Sequence, residues 1–321
     1  MSDETDNSGE ANATRRPDGG ATDVRTATES PTAGPTIVDR VQAELAELTV
    51  LDIGVYILYA IAVAFFVFPV LWVVSASLRP AGELFSYPFR LIPTEVSLSA
   101  YRQVLNAGML SWLLNSTLVT ILGVSSIIAV SVPAAYAFSR FEFTGRRGLL
   151  GIVLLFQMIS PIIIIVPLYT VMSGLGLLRT RTGLILLYVG IQTPFSIWLL
   201  KGYFDTIPKE LDYAARIDGC NRLQTLRHVL LRPIAPGIAV VAIFNTVLTW
   251  SEFVLAFTVL GSESRLHTIS IGVYKFQGQY GNDWRAIAAA SVIGMLPLVI
   301  VFLCLQRYFV KGLIEGSLKG Q

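Results

Sequence analysis

The stretch Phe204–Pro236, with the sequence FDTIPKELDYAARIDGCNRLQTLRHVLLRPIAP, decides how the rest of the chain is interpreted. It is polar and helix-forming, and it lies between two apolar runs that are long enough to cross a bilayer. A loop that only reversed the chain would not need two successive helical patterns with a glycine between them. We therefore interpret this stretch as a docking element for a partner.

The first half of the stretch predicts a short helix that ends at a glycine. Thr206 is a candidate N-cap, and Pro208 would lie in the first turn, where its missing N–H costs little. Gly219 follows Asp218 and suits a left-handed residue at a helix end. Between these ends, spacing i, i+3 and i+4 predicts a narrow contact face of small side chains. Its members are Leu211, Ala214 and Ala215.

The second half of the stretch predicts another helix. Asn221 with Gln224 three residues later matches a capping box. An apolar stripe follows, formed by Leu223, Leu226 and Leu230. Because prolines interrupt helices, we expect Pro233 and Pro236 to end this helix at the membrane surface.

Composition places the chain in a membrane. Of its 321 residues, 53% are hydrophobic and only 14% are charged, where soluble domains carry about 25%. Residues 1–50 hold 4 basic and 10 acidic residues, so an acidic tail precedes a mildly basic body. A nucleic-acid-binding surface would combine clustered Lys and Arg residues with aromatic residues, and the sequence has no such cluster. Cys220 and Cys304 give neither a disulfide framework nor a metal-binding spacing.

The first 50 residues predict two segments before the membrane region. Residues 1–36 contain no aromatic residue and are too polar to bury an apolar core, so we expect a disordered cytoplasmic tail. Residues 37–50 have helical spacing and are a candidate interfacial helix. The membrane domain would then occupy residues 51–321.

Six apolar runs follow, and about 20 residues suffice to cross a bilayer. They are Ile53–Leu78, Gln103–Ser139, Gly148–Leu178, Thr182–Leu200, Pro233–Leu260 and Ala286–Gln306. We therefore predict an all-α, polytopic membrane protein with six transmembrane helices.

Six spans place both termini on one side. The segments 140–147, 201–232 and 307–321 on that side carry 12 basic residues, and the opposite loops carry 8. This bias predicts cytoplasmic termini and a cytoplasmic 204–236 loop in a multi-pass plasma-membrane protein.

Polar groups inside the apolar runs are candidates for a solute path. A charge such as Glu252 costs at least about 2.5 kcal/mol in the membrane unless it is paired or hydrated. Each polar group either faces a translocation path or bonds a neighbouring helix. The path candidates are Asn115, Gln157, Gln192, Asn245, Trp250 and Glu252.

The central stretch resembles the EAA loop of ABC importer permeases, whose pattern is roughly EAA, three residues, Gly, then Ile-x-Leu-Pro. The resemblance covers most of residues 50–321 and is closest to the maltose-type second permease subunit of carbohydrate importers. Further motifs that carry it are WLLNSTLVT (112–120), AYAFSRFEFTGR (135–146), WLLKGYFDTIP (198–208) and LPLVIVFLCLQRYFVKGLIEGSLKG (296–320). The ATPase-coupling residues that it implies are Leu211, Asp212, Tyr213, Ala214, Ala215, Asp218 and Gly219.

The chain departs from this pattern at two points. Tyr213 stands at the position of the motif's glutamate, and the acidic Asp212 lies about 100° away around a helix. The first proline of the motif is shifted by one residue to Pro233. These departures bear on the details of the ATPase contact.

The resemblance implies the type I ABC importer permease fold and a set of partners. A second permease subunit would complete a heterodimer in the lipid bilayer, and two cytoplasmic ATPase subunits would move the coupling loops. An extracytoplasmic binding protein would deliver a sugar. The loop KFQGQYGNDW would reach toward that protein through Gln277, Gln279, Tyr280, Asn282 and Trp284. The chain has no GxxxxGK[ST] motif, so hydrolysis belongs to a separate subunit. No cofactor and no metal are expected.

Two other functional classes fit the sequence less well. An ion-coupled secondary transporter would need internal repeats and paired ionisable residues in its spans, and Glu252 stands alone in the apolar runs. A membrane-embedded enzyme would need a motif such as HExxH or GxSxG, and the sequence has neither.

Overall fold

The computed structural model describes residues 50–84, 87, 90–160, 162–261, 264–278 and 281–317. The predicted tail 1–36 and nearly all of the predicted interfacial segment 37–50 lie outside these residues. The contacts discussed below lie within the unit 64–321.

The described chain is almost entirely helical. Its α-helices are α1 (Val50–Ser77), α2 (Ser99–Asn106), α3 (Met109–Arg140), α4 (Arg146–Met158), α5 (Ile165–Gly174), α6 (Arg181–Thr206), α7 (Glu210–Ile217), α8 (Arg222–Gln224), α9 (Leu231–Ser251), α10 (Val254–Leu260), α11 (Ile269–Tyr274) and α12 (Trp284–Ser317). A π-helical segment, Thr225–Leu230, joins α8 to α9, and a 3₁₀ turn covers Ser264–Leu266. The strands β1 (Gln277–Gly278) and β2 (Gly281–Asn282) pair in antiparallel fashion.

Five helices in the described part of the chain are long and apolar enough to cross a membrane. They are Ile53–Ser77, Met109–Arg140, Arg181–Thr206, Arg222–Ser251 and Trp284–Cys304. Large side chains such as Phe65 and Phe66 are more than 70% exposed, which suits contact with lipid or another subunit.

The third predicted run, Gly148–Leu178, differs from the other five because its described residues form two short helices and no long one. At about 1.5 Å per residue, α4 and α5 are about 20 Å and 15 Å long, so neither alone crosses a core of about 30 Å. The sequence carries Pro161 between them, and the residue before a proline avoids helical backbone angles. The run is divided between Met158 and Ile165, whereas Pro133 and Pro194 lie inside continuous helices.

Two apolar clusters pack at opposite ends of α3. At its C-terminal end, Tyr136 packs with Phe204 of α6 and with Leu230. At its N-terminal end, Trp112 packs with Val104 of α2 and Ile269 of α11. Helix α3 therefore packs against neighbouring helices at both of its own ends.

The connection between α1 and α2 is fixed by polar contacts. The carboxylate of Glu83 accepts hydrogen bonds from the hydroxyl and the backbone N–H of Thr94, at 2.6 and 2.9 Å. These bonds favour the ionised carboxylate and lower the pKa of Glu83. Ser97 N–H also donates to Leu78 O at 2.7 Å, which closes the connection.

Close packing at Gly272 generates a testable prediction. A Cβ at this position would lie 2.1 Å from Cε3 of Trp112, whose side chain is only 2% exposed. Gly272→Ala should therefore destabilise the protein by about 1–3 kcal/mol, although alanine favours helices. Thermal unfolding of the purified protein in detergent measures this. Gly190→Ala is the matched control, because nothing lies within 4 Å of its Cβ, and equal melting temperatures for the two variants would contradict the prediction.

Candidate functional site

The candidate site is the loop between α6 and α9. Its first helix begins later than the sequence predicts: α6 continues to Thr206, and α7 begins at Glu210. The prediction that Thr206 caps this helix was wrong, because its hydroxyl donates to Tyr203 O within α6 at 2.8 Å. Burial of Phe204 holds the last turn of α6 in the core.

The end of α7 has the geometry expected for a glycine stop. Gly219 has φ +81°, its N–H donates to Arg216 O at 3.1 Å, and the N–H of Cys220 donates to Ala215 O at 2.9 Å. This pair of bonds is the Schellman motif, which satisfies carbonyls at a helix C-terminus.

The next helix begins at the predicted capping box. Gln224 N–H donates to Asn221 Oδ1 at 2.9 Å, and Asn221 N–H donates to Gln224 Oε1 at 2.8 Å. The predicted stop at Pro233 and Pro236 was wrong, because the helical segments run on to Ser251. Pro233 lies inside the continuous helical stretch Arg222–Ser251, where it follows the π-helical segment Thr225–Leu230. Pro236 is accommodated inside α9.

A buried ion pair attaches α7 to the end of α3. Arg140 Nε lies 3.0 Å from Asp212 Oδ2, and the two side chains are 6% and 9% exposed. Tyr136 donates its hydroxyl proton to Asp212 Oδ1 at 3.1 Å. Charge pairing and hydrogen bonding together offset the cost of burying the carboxylate.

Two further contacts hold the loop against the same end of α3. Arg140 Nη2 donates to Ile207 O at 2.8 Å, just before α7. The guanidinium of Arg222 lies 4.3 Å from the ring centroid of Phe141, a cation–π contact. Both helices of the loop are therefore attached to residues 136–141.

The outer surface of the loop carries large apolar side chains among exposed charged ones such as Glu210 and Arg216. Tyr213 and Ile217 on α7 are 58% and 86% exposed, and Leu223 is 70% exposed.

The predicted small-residue face is divided, since Ala215 is buried, whereas Leu211 and Ala214 are exposed. Asp212 faces inward with Ala215, while Asp218 and Gly219 form the exposed turn.

Two of the predicted path residues meet between α6 and α9. Asn245 Nδ2 donates to Ser196 Oγ at 2.9 Å, and Ser196 Oγ donates to Gln192 O at 2.9 Å. Gln192 Nε2 donates to Thr249 Oγ1 at 3.2 Å. The four side chains are buried, so the structure places Gln192 and Asn245 in an interhelical network.

The other amide candidates lie elsewhere. Asn115 is buried at the start of α3, and its Nδ2 donates to Arg265 O at 2.8 Å and His267 O at 3.0 Å. Gln157 is exposed near the end of α4. The structure therefore does not bring these two side chains together with Gln192 and Asn245.

Glu252 fixes the start of α10. Its carboxylate accepts hydrogen bonds from Leu255 N–H and Ala256 N–H, both at 2.8 Å, and from the hydroxyl of Tyr188 at 2.9 Å. A carboxylate at this position satisfies orphan N–H groups of the first helical turn. Its observed partners are thus a helix terminus and α6.

Trp250 and Gln277 share an open cavity of about 500 Å³ between α9, α11 and α12. The indole N–H of Trp250 donates to Gly294 O at 3.0 Å. Phe253 and Tyr274 add an aromatic wall, with ring centroids 4.8 Å apart.

The predicted binding-protein loop forms the short hairpin β1–β2. Gln277 and Asn282 are directly paired in it, and both are exposed. Trp284 is 48% exposed at the start of α12. Gln279 and Tyr280 lie outside the described residues.

Sequence reasoning missed Tyr136 and Arg140, the residues at the end of α3 that bind Asp212 of the loop. A signal was present: Asp212 precedes Ala215 by three residues and so shares its face of the helix. An inward carboxylate needs a cation, and Arg140 directly follows the second apolar run, Gln103–Ser139. In the described residues, no group of three His, Cys, Asp or Glu side chains could hold a metal ion.

A protein-family comparison identifies the chain. The family model described as "Binding-protein-dependent transport system inner membrane component" matches residues 127–315, which include the whole loop. The chain belongs to this family. It is therefore a multi-pass membrane permease subunit of an ABC importer, a transport component rather than an enzyme.

Curated relatives match over most of their length. The chain is 35% identical to the probable ABC transporter permease protein YurM of Bacillus subtilis (strain 168), over 82% of this chain and 86% of that protein. It is 34% identical to the sulfoquinovosyl glycerol transport system permease protein SmoH of Agrobacterium fabrum, over 79% and 89%. It is also 34% identical to the trehalose/maltose transport system permease protein MalG of Thermococcus litoralis, over 79% and 92%.

A solved structure has the same fold. A chain from a bacterial ABC transporter involved in the import of the acidic polysaccharide alginate aligns with a TM-score of 0.68 at 23% identity. The alignment covers 85% of this chain and 98% of that chain. The family match and this fold favour an ABC permease over an ion-coupled transporter.

The contacts of Glu252 generate a second prediction. Glu252→Leu would remove the acceptor of two backbone N–H groups and of Tyr188, at a cost of about 1–3 kcal/mol for each group left buried and unsatisfied. The variant should melt at a lower temperature in detergent, and Glu252→Gln, which keeps one oxygen, should lie between it and the parent protein. Glu210→Gln is the exposed control. A Leu variant that keeps its melting temperature but loses uptake would instead place Glu252 in the solute path.

Proposed function

We propose that the chain forms half of a sugar-conducting path and that the loop between α6 and α9 receives the motion of a cytoplasmic ATPase. A second permease subunit completes the path, two ATPase subunits hold the paired loops, and an extracytoplasmic binding protein delivers the solute. ATP-driven closure of the ATPases would displace α7 and open the path outward.

The observation that carries this proposal is the exposed apolar surface on a firmly attached helix. Tyr213, Ile217 and Leu223 expose apolar area that an aqueous loop would otherwise bury. The ion pair of Asp212 prevents this surface from turning inward. A rigid helix with an exposed apolar face suits insertion into a groove on a partner.

The proposed function includes an orientation of the chain in the membrane. The loop, both termini and residues 1–50 face the cytoplasm, and the hairpin β1–β2 faces the binding protein. The excess of basic residues in segments 140–147, 201–232 and 307–321 supports this side assignment. The domains are then a cytoplasmic tail (1–36), an interfacial segment (37–50) and the membrane domain (51–321).

The proposed solute is a sugar or oligosaccharide. Relatives are described as permeases for sulfoquinovosyl glycerol, diacetylchitobiose and trehalose/maltose. The cavity next to Trp250 offers aromatic rings from Phe253 and Tyr274 with serine hydroxyls from Ser251 and Ser270. Such a combination suits the apolar face and the hydroxyl groups of a sugar ring.

The docking surface generates a third prediction. Ile217→Asp would place a charge in the proposed apolar contact and should reduce co-purification of the co-encoded ATPase by at least about tenfold. The matched control is Ile92→Asp, which changes an equally apolar side chain, 78% exposed, in the connection between α1 and α2. Quantitative pull-down from detergent-solubilised membranes measures the ratio. Undiminished ATPase recovery with Ile217→Asp would refute this docking surface.

The solute class generates a fourth prediction. The solute-binding protein encoded beside this chain should retain a sugar or oligosaccharide, and the reconstituted importer should accumulate that sugar only when ATP and the binding protein are present. Mass spectrometry of the retained ligand, followed by uptake into proteoliposomes, measures both steps. Retention of an amino acid or a metal ion would contradict the sugar assignment.

A further inference from the structure

Helix α3 carries specific polar contacts at both of its ends. At the C-terminal end, Arg140 and Tyr136 hold Asp212 of α7 at 3.0 and 3.1 Å. These contacts are buried and involve a charge, so displacement of α7 alone would leave an unpaired ion in the interior. Movement of α7 therefore favours movement of the end of α3 with it.

The N-terminal end of α3 holds the segment that leads to the hairpin β1–β2. Asn115 Nδ2 donates to Arg265 O and His267 O. Ser116 Oγ accepts the N–H of Ile269 at 2.8 Å, which attaches the start of α11. Gly272 on α11 packs directly on Trp112.

One uninterrupted helix joins the two sets of contacts. Helix α3 runs from Met109 to Arg140 and includes Pro133. Asn115 and Arg140 are 25 positions apart, which corresponds to about 37 Å along a helix. A continuous helix attached at both ends by buried polar contacts transmits displacement better than a loop, whose backbone angles absorb it.

We infer that α3 is a mechanical connection between the ATPase-coupling loop and the segment 264–276 on the opposite face, with Asp212 and Asn115 as its two positioning residues. This inference rests on the proposed function for the identity of the partners on each face. Since coupling between two sites is reciprocal, binding-protein docking at one end would favour the ATPase-activating position of α7 at the other.

The test is a double-mutant cycle in the complete importer, reconstituted in proteoliposomes with its second permease, ATPase and binding protein. The variants are Asp212→Asn, Asn115→Ala and their combination. The measured quantity is the ratio of ATPase rates with and without the sugar-loaded binding protein. Glu210→Gln on α7 is the control at one end. Thr117→Ala is the control at the other, because its hydroxyl bonds Leu113 O within α3.

If α3 connects the two ends, each single variant should lower the stimulation ratio by about tenfold, and the double variant should be no worse than the stronger single variant. Two independent sites this far apart should instead give multiplied effects. Multiplied effects, or single variants that behave like the two controls, would overturn the inference.

A charge-reversed pair separates positioning from simple loss of folding. Arg140→Asp combined with Asp212→Arg re-forms the ion pair with opposite polarity and should recover at least about a third of the parent stimulation ratio, while either reversal alone should not. No recovery in a pair that still assembles would count against the inference.

The outcome also separates this inference from the function on which it rests. If the parent chain fails to retain the ATPase, the proposed function fails. If the parent chain retains the ATPase and Asp212→Asn does not, Asp212 acts in docking, and the inference fails alone.

Discussion

A carboxylate buried at a membrane edge is stable only when its charge is matched, and Arg140 matches that of Asp212 at 3.0 Å. This pairing determines which face of α7 points inward. With Asp212 and Ala215 buried, Tyr213 and Ile217 must point away from the protein. Arg140 at the end of α3 donates to Ile207 O before α7, and Arg222 of the loop contacts the ring of Phe141, so the loop is held in a fixed position against α3.

Polar groups elsewhere in the membrane domain serve the backbone and the helix contacts. Glu252 accepts two N–H groups at the start of α10, and Asn115 binds two carbonyl oxygens of the segment before α11. Both sites lie where a helix begins or a loop approaches a span, and there backbone groups lack intrahelical partners. A polar side chain in an apolar run is therefore as much a sign of irregular backbone nearby as of a solute path. The network between Gln192 and Asn245 ties α6 to α9 directly.

Local rules predicted the features that depend on few neighbours. The stop at Gly219 and the capping box at Asn221 follow from backbone chemistry within four residues, and both were confirmed. The helix start at Thr206 was wrong because burial of Phe204 extends α6, a tertiary effect. Pairing of Asp212 with Arg140 joins residues 72 positions apart, so no local pattern contains it. Five apolar runs each contain one long helix although prolines lie inside those helices, and the third is divided, because run length records hydrophobicity but not where the backbone breaks.

The exposed apolar side chains of α7 have a consequence for the ionic environment in which such an importer works. A contact between a carboxylate and a cation at a subunit surface is screened by dissolved salt, whose Debye length is about 8 Å at physiological ionic strength. Contacts made by Tyr213 and Ile217 carry no charge, and burial of apolar area is strengthened by salts that are excluded from protein surfaces. The part of the contact that Tyr213 and Ile217 make would therefore persist in concentrated electrolyte, where contacts based on ion pairs would weaken.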